Sequence, residues 1–126
     1  MTYHLFLDDV RSPADVTWEK LPSPEQWIIA RNFWAFKRQI EKRGIPKFVA
    51  FDHDLAPEHY SAMFKDSHSN PSDYGNEKTG FHCAEYLIHA CAERSVPFPE
   101  YTVHSLNPVG RQRMYDLIEE AKLNLL

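Results

Sequence analysis

Short apolar runs alternate with amphipathic or polar stretches along this chain of 126 residues. In "YHLFLDD", Tyr3 to Leu7 reads as a short buried strand that ends in Asp8 and Asp9. Residues 10 to 26 hold three prolines and no sustained periodicity, which predicts an irregular crossover with a helical turn near Ala14. "WIIAR" is a second strand. Asn32 can then cap a helix from Phe33 to about Lys42, with Phe33, Phe36 and Ile40 on one face and Gly44 as its stop. "KFVAF" is a third strand that runs into Asp52, His53 and Asp54. A long polar stretch follows from Ala56 to Thr79, and a loop of that length in a small domain is functional or disordered. It reads either as a lid at about 56–79 or as a decorative insertion.

The next amphipathic run predicts a helix from about Gly80 to Arg94, burying Phe81, Ala84, Leu87, Ile88 and Cys91. "YTVHS" is a fourth strand. A last helix starts at "NPVG" and runs towards Leu123, with Met114, Leu117, Ile118, Ala121 and Leu125 inward. Strands alternating with helices predict an α/β fold with a parallel sheet covered on both faces. In such sheets ligands bind beyond the carboxyl ends of the strands, where the strand order reverses. With the order 2-1-3-4, that point lies between the first and third strands, so the two acidic strand ends meet there.

Length and composition support one domain over 1–126 with ordinary globular chemistry: 43% apolar and 25% charged residues. The net charge of −4 does not advertise a nucleic-acid or membrane surface, and no specific double-stranded nucleic-acid motif stands out. Locally the balance inverts. Arg31, Lys37, Arg38, Lys42, Arg43 and Lys47 face only Glu41, a pattern expected of a solvated helix face. Cys83 and Cys91, eight residues apart on one helix, are separated by about 12 Å, too far for a disulfide. With no signal peptide and no membrane-length apolar run, a cytoplasmic setting is expected. Oligomeric state has no signature in the chain.

The strand ends carry the candidate chemistry. Asp8, Asp9, Asp52 and Asp54 would repel one another unless a cation neutralises them, and a hard divalent ion suits oxygen donors. The plainer alternative is that some of them cap loops. His53 and His104 stand at neighbouring strand tips, where they could act as an acid–base pair or ligate a transition metal. The remaining histidines (His4, His59, His68, His82 and His89) read as structural. In "HSLNPVG", Asn107 is a favoured N-cap and Pro108 a favoured first helical residue. The amides of Val109, Gly110 and Arg111 would point out of that helix end towards an anion, with Gly110 allowing close approach. Ser105 can add a hydroxyl, and Arg11 and Arg111 can supply charge. The alternative is an ordinary helix cap.

"LFLDD-R-P", "FDHDL", "TG" and "HS-NP-G---M", at Leu5–Pro13, Phe51–Leu55, Thr79-Gly80 and His104–Met114, resemble the cyclic-phosphate-processing receiver-like domains. These are relatives of response-regulator receivers. The resemblance spans nearly the whole chain. It implies a receiver-like (flavodoxin-like) three-layer fold with a short parallel sheet, strand order 2-1-3-4, and no fifth strand. It also implies action on cyclic phosphate groups of nucleotides or RNA ends. Asp8, Asp9, Asp52 and Ser105 match four receiver positions, with Asp52 at the phosphoacceptor. The receiver lysine after a fifth strand has no counterpart, while His53, Asp54 and His104 are additions.

Two functions are then expected. The first is a metal-assisted phosphoesterase, with Mg²⁺ or Mn²⁺ on Asp8, Asp9, Asp52 and Asp54, and His53, His104, Asp52 and Ser105 at the chemistry. Arg11, Asn107, Val109, Gly110 and Arg111 would bind the phosphate of a small molecule or an RNA end. The second is a non-catalytic degenerate receiver or a module that binds phosphate ligands.

Overall fold

In the computed structural model the described residues are 2–22, 27–54 and 79–124. The stretch expected to form a loop therefore lies outside them as far as residue 78, as do His59, His68 and Leu125. The elements are β1 (His4–Leu7), a 3₁₀ turn at Pro13–Asp15, β2 (Trp27–Ala30), α1 (Phe33–Arg43) and β3 (Phe48–Phe51). After them come α2 (Gly80–Arg94), β4 (Glu100–Val103) and α3 (Pro108–Asn124). These are the expected elements in the expected order, with boundaries moved by a residue or two. The four strands are parallel in the order β2-β1-β3-β4, a receiver-like α/β arrangement.

Local chemistry accounts for the helix limits. Asn32 Oδ1 accepts from the Ala35 amide at 2.8 Å and opens α1. Gly44, at φ 87°, closes it in a conformation that side chains avoid, and Tyr3 Oη donates to its carbonyl at 2.7 Å. Thr79 opens α2, and His82 Nδ1 accepts from the Thr79 amide at 2.9 Å, a structural role for that histidine.

The pleat sorts the core. Leu5, Leu7, Val49, Phe51 and Val103 point to one side and join Phe36 and Ile40 of α1, Leu87 and Ile88 of α2, and Met114 and Ile118 of α3. Phe6 and Ala50 point to the other side and meet Val16, Leu21, Trp27 and Phe48. The three helices of the described residues therefore share one face. Among the described residues, the second face is covered by the proline-rich crossover, since its prolines and lack of periodicity do not sustain a helix. On α2, Cys83 and Ala90 are also buried, whereas Phe81 and, on α3, Leu117 are half-buried at the margin. Both cysteines are free thiols. No described helix is long and apolar enough to cross a membrane.

Candidate functional site

Strand register builds the site. Leu7 stands opposite Ala30 and Phe51, and Phe51 opposite Val103. The ladder continues one residue further. The Asp8 amide donates to Ala30 O at 3.1 Å, the Asp52 amide to Leu7 O at 2.9 Å and the His104 amide to Phe51 O at 2.8 Å. Asp8, Asp52 and His104 are consequently neighbours, and one ligand atom of each lies within 4.8 Å of the others. Continuing the alternation turns them to the face of Phe6, and the His104 ring stacks on Phe6 at 4.7 Å with the planes 4° apart.

This trio is buried: Asp8 and His104 are 0% exposed and Asp52 is 4%. Asp8 Oδ1 accepts from the amides of Val10 (2.9 Å) and Arg11 (2.8 Å), and Oδ2 is 2.9 Å from His104 Nε2. Burial by itself would raise the Asp8 pKa. The His104 bond and the two amides outweigh it and hold the pKa at about 2. Asp52 goes the other way, up to about 6, through burial first and then the charge of Asp8, with a smaller push from Asp9. The His104 charge and the hydrogen bond from the His53 amide to Asp52 Oδ1 (2.8 Å) only partly oppose this. His104 Nδ1 is buried with no hydrogen-bond partner among the described residues.

His104 is therefore not at the mouth, where the sequence placed it. It lies under the mouth, stacked on the sheet and bonded to Asp8. The period of two explains which way it turns: residue 104 follows the in-register strand end on the phase of Asp8 and Asp52. Trp18 Nε1 donates to His104 O at 2.7 Å and pins the crossover across this strand end. The Arg11 guanidinium lies over the Trp18 ring at 5.1 Å, with its Nη1 3.7 Å from Asp8 Oδ2.

His53 is on the opposite phase and partly exposed, its side chain 16% accessible. Its Nδ1 is 2.7 Å from Asp54 Oδ1. Asp54 also accepts from Asn107 Nδ2, at 3.3 Å on Oδ1 and 3.2 Å on Oδ2. Asp54 thus bonds His53 and Asn107 and is not one of the three clustered donors. Asp9, half-buried, is close enough for its charge to act on Asp52.

The expected anion site at the start of α3 is largely filled from within. Asn107 does cap the helix: its Oδ1 accepts from the Gly110 amide at 3.1 Å, and its carbonyl accepts from the Arg111 amide at 2.9 Å. Two of the three amides expected to face an anion are committed in this way. Ser105 is buried, with its Oγ accepting from the Asn107 amide at 3.1 Å. Gly110 makes room for a side chain, since a Cβ there would lie 2.5 Å from His53 Cγ. Arg111 donates to Val103 O (3.0 Å) and to Glu19 (2.7 Å), a structural strap between α3 and the crossover.

Three further residues shape the site without having been assigned a part in it. Gly80 is needed where α2 abuts the end of β3, because a Cβ there would sit 1.7 Å from Asp52 O. Trp18 holds the His104 carbonyl. Arg31 Nη1 donates to Asp8 O (3.3 Å) and Arg11 O (2.5 Å), binding the β1 loop to β2. In the same basic run Arg38, Lys42, Arg43 and Lys47 are exposed, as a solvated face would be.

Asp8 and Asp52 at the ends of β1 and β3 and His104 after β4 thus cluster at the carboxyl edge of the sheet. The family model for the cyclic-phosphate processing Receiver domain matches residues 3–120. The chain belongs to this family. No curated protein and no solved structure matches it. Membership associates this receiver-like domain with cyclic-phosphate processing.

Proposed function

We propose that this cyclic-phosphate processing receiver domain is a phosphoesterase that opens cyclic phosphates of nucleotides or RNA ends. The reading is carried by the partly exposed His53, next in the chain to Asp52 and bonded to it through its amide, within a family named for cyclic phosphate. Hydrolysis breaks the bond from phosphorus to one ring oxygen and forms one to water. His53 takes the proton from the attacking water, and the leaving oxygen takes a proton from solvent at the mouth. Arg11, about one-third exposed beside Asp8, offsets charge on the phosphoryl oxygens. His104 keeps Asp8 in place and ionised rather than meeting substrate.

A divalent cation fits the donor set. Burial pushes Asp52 up first and the charge of the adjacent Asp8 adds to it, and a bound cation would offset both. Asp8 and Asp52 would hold it, with Asp9 adjacent, and the nearby His104 nitrogen makes Mn²⁺ as suitable as Mg²⁺. When bound, the ion supplies polarisation of a phosphoryl oxygen. Two free buried thiols accord with a reducing, cytoplasmic compartment. The test is turnover of nucleoside 2′,3′-cyclic phosphates with Mg²⁺, with Mn²⁺ and with chelator. No rate above that of His53→Ala in any of the three ends the proposal.

One observation favours a second reading, a degenerate receiver: Asp52 occupies the phosphoacceptor place at the end of β3, with Ser105 beyond β4. Acetyl phosphate distinguishes the two. A labile adduct lost in Asp52→Asn, without cyclic-phosphate turnover, selects the receiver.

A further inference from the structure

We propose that Asp54 is the positioning residue of His53, and that it makes Nε2 the nitrogen that exchanges protons. The functional consequence rests on the phosphoesterase reading; the positioning itself does not.

Three contacts immobilise the His53 ring and its backbone. The His53 carbonyl accepts from the Gly80 amide at 2.8 Å, which ties the backbone to the start of α2. One face of the ring lies against Gly110, where a Cβ would approach Cγ to 2.5 Å and Cδ2 and Nδ1 to 2.6 Å. The third contact is Nδ1 to Asp54 Oδ1 at 2.7 Å. Asp54 is itself held, because Asn107 Nδ2 reaches both of its oxygens, and Asn107 is anchored as the cap of α3 through the Gly110 amide. One glycine thus supplies both the space for the ring and the amide that fixes the cap.

The Asp54 side chain is 64% exposed, so its pairing with His53 adds little to stability. Its effect is on the ring. A carboxylate at 2.7 Å selects the form with the proton on Nδ1, leaving the lone pair on Nε2. Nε2 makes no hydrogen bond among the described residues, so it is the nitrogen available to a water or a substrate oxygen. This replaces the expected role of Asp54 as a cation ligand.

Long-range ¹H–¹⁵N spectra of the histidine rings at about pH 8, with His53→Ala to identify the signal, test the assignment without any turnover. The expected result is an Nδ1-protonated His53 in the wild type, reverting to a solvent-like mixture in Asp54→Ala and less completely in Asn107→Ala. An Nε2-protonated ring in the wild type, or an unchanged ring in Asp54→Ala, overturns the proposal. If cyclic phosphates are turned over, kcat should fall about 10- to 100-fold in Asp54→Ala with KM little changed, and partly recover in Asp54→Glu. An unchanged kcat also overturns it. The expected spectra without any turnover would sink the phosphoesterase reading and leave the positioning intact.

Discussion

Replacing Asp52 by asparagine should stabilise the folded protein at neutral pH and do much less in acid. The carboxyl is almost wholly buried, and burial together with the charges of Asp8 and Asp9 raises its pKa from 3.8 to about 6. The folded state therefore holds this proton more tightly than the unfolded chain does. Ionisation costs nothing below the unfolded value, and the cost grows as pH rises from there through the folded value. Over that interval it amounts to about 3 kcal/mol at pH 8 and about 1 kcal/mol at pH 4.5. Asparagine removes the charge while its amide oxygen can still accept from the His53 amide, so no hydrogen bond need be lost. Asp8 has the opposite sign: with its pKa at about 2, it contributes stability above its unfolded value that is lost as pH falls towards 2. That contribution is common to both proteins and largely cancels between them. Urea unfolding of wild type and Asp52→Asn at about pH 8 and about pH 4.5 measures the difference. The reasoning is refuted if the variant is less stable at the higher pH, or gains equally at both.

The remaining predictions concern the cation and the glycine at the end of β3. If Asp8 and Asp52 hold a divalent ion, millimolar Mn²⁺ or Mg²⁺ should raise the wild-type Tm and leave Asp52→Asn nearly unmoved, by linkage to the folded state. An equal rise in both, followed by differential scanning fluorimetry, would place the ion elsewhere. Gly80→Ala should cost about 3 kcal/mol, because its Cβ would fall 1.7 Å from a backbone oxygen that cannot step aside. A Tm drop of about 10 °C is expected, and a loss under about 1 kcal/mol would mean that α2 shifts freely against β3.

The order of elements was legible because each has its own local signal. Asn32 and Gly44 bracket α1, Thr79 opens α2, and four short apolar runs make a parallel sheet whose reversal point is set by the strand order. What covers the second face was less legible. An alternating pattern implies helices on both sides, yet among the described residues all three helices pack on the side of Leu5, Leu7 and Phe51, and the crossover covers the side of Phe6. The prolines of that crossover and its missing periodicity were the available sign.

The candidate site was legible as a list of residues and not as an arrangement, and the reason lies in the pleat. A strand turns successive side chains to opposite faces, so at a strand end one position decides whether a group faces the buried or the open side. His104 follows Val103 directly and falls on the phase of Asp8 and Asp52, stacked over Phe6. His53 stands one residue past the equivalent position and faces Gly110. Counting positions from the aligned strand ends separates the two histidines before any coordinates are needed, provided the register is known. Register is what the sequence withholds here, because strands of four residues admit a shift of one without losing their apolar character. Once it is fixed, the two histidines divide the work. His104 holds Asp8 ionised from within, and in the proposed reaction it is His53 that meets the substrate.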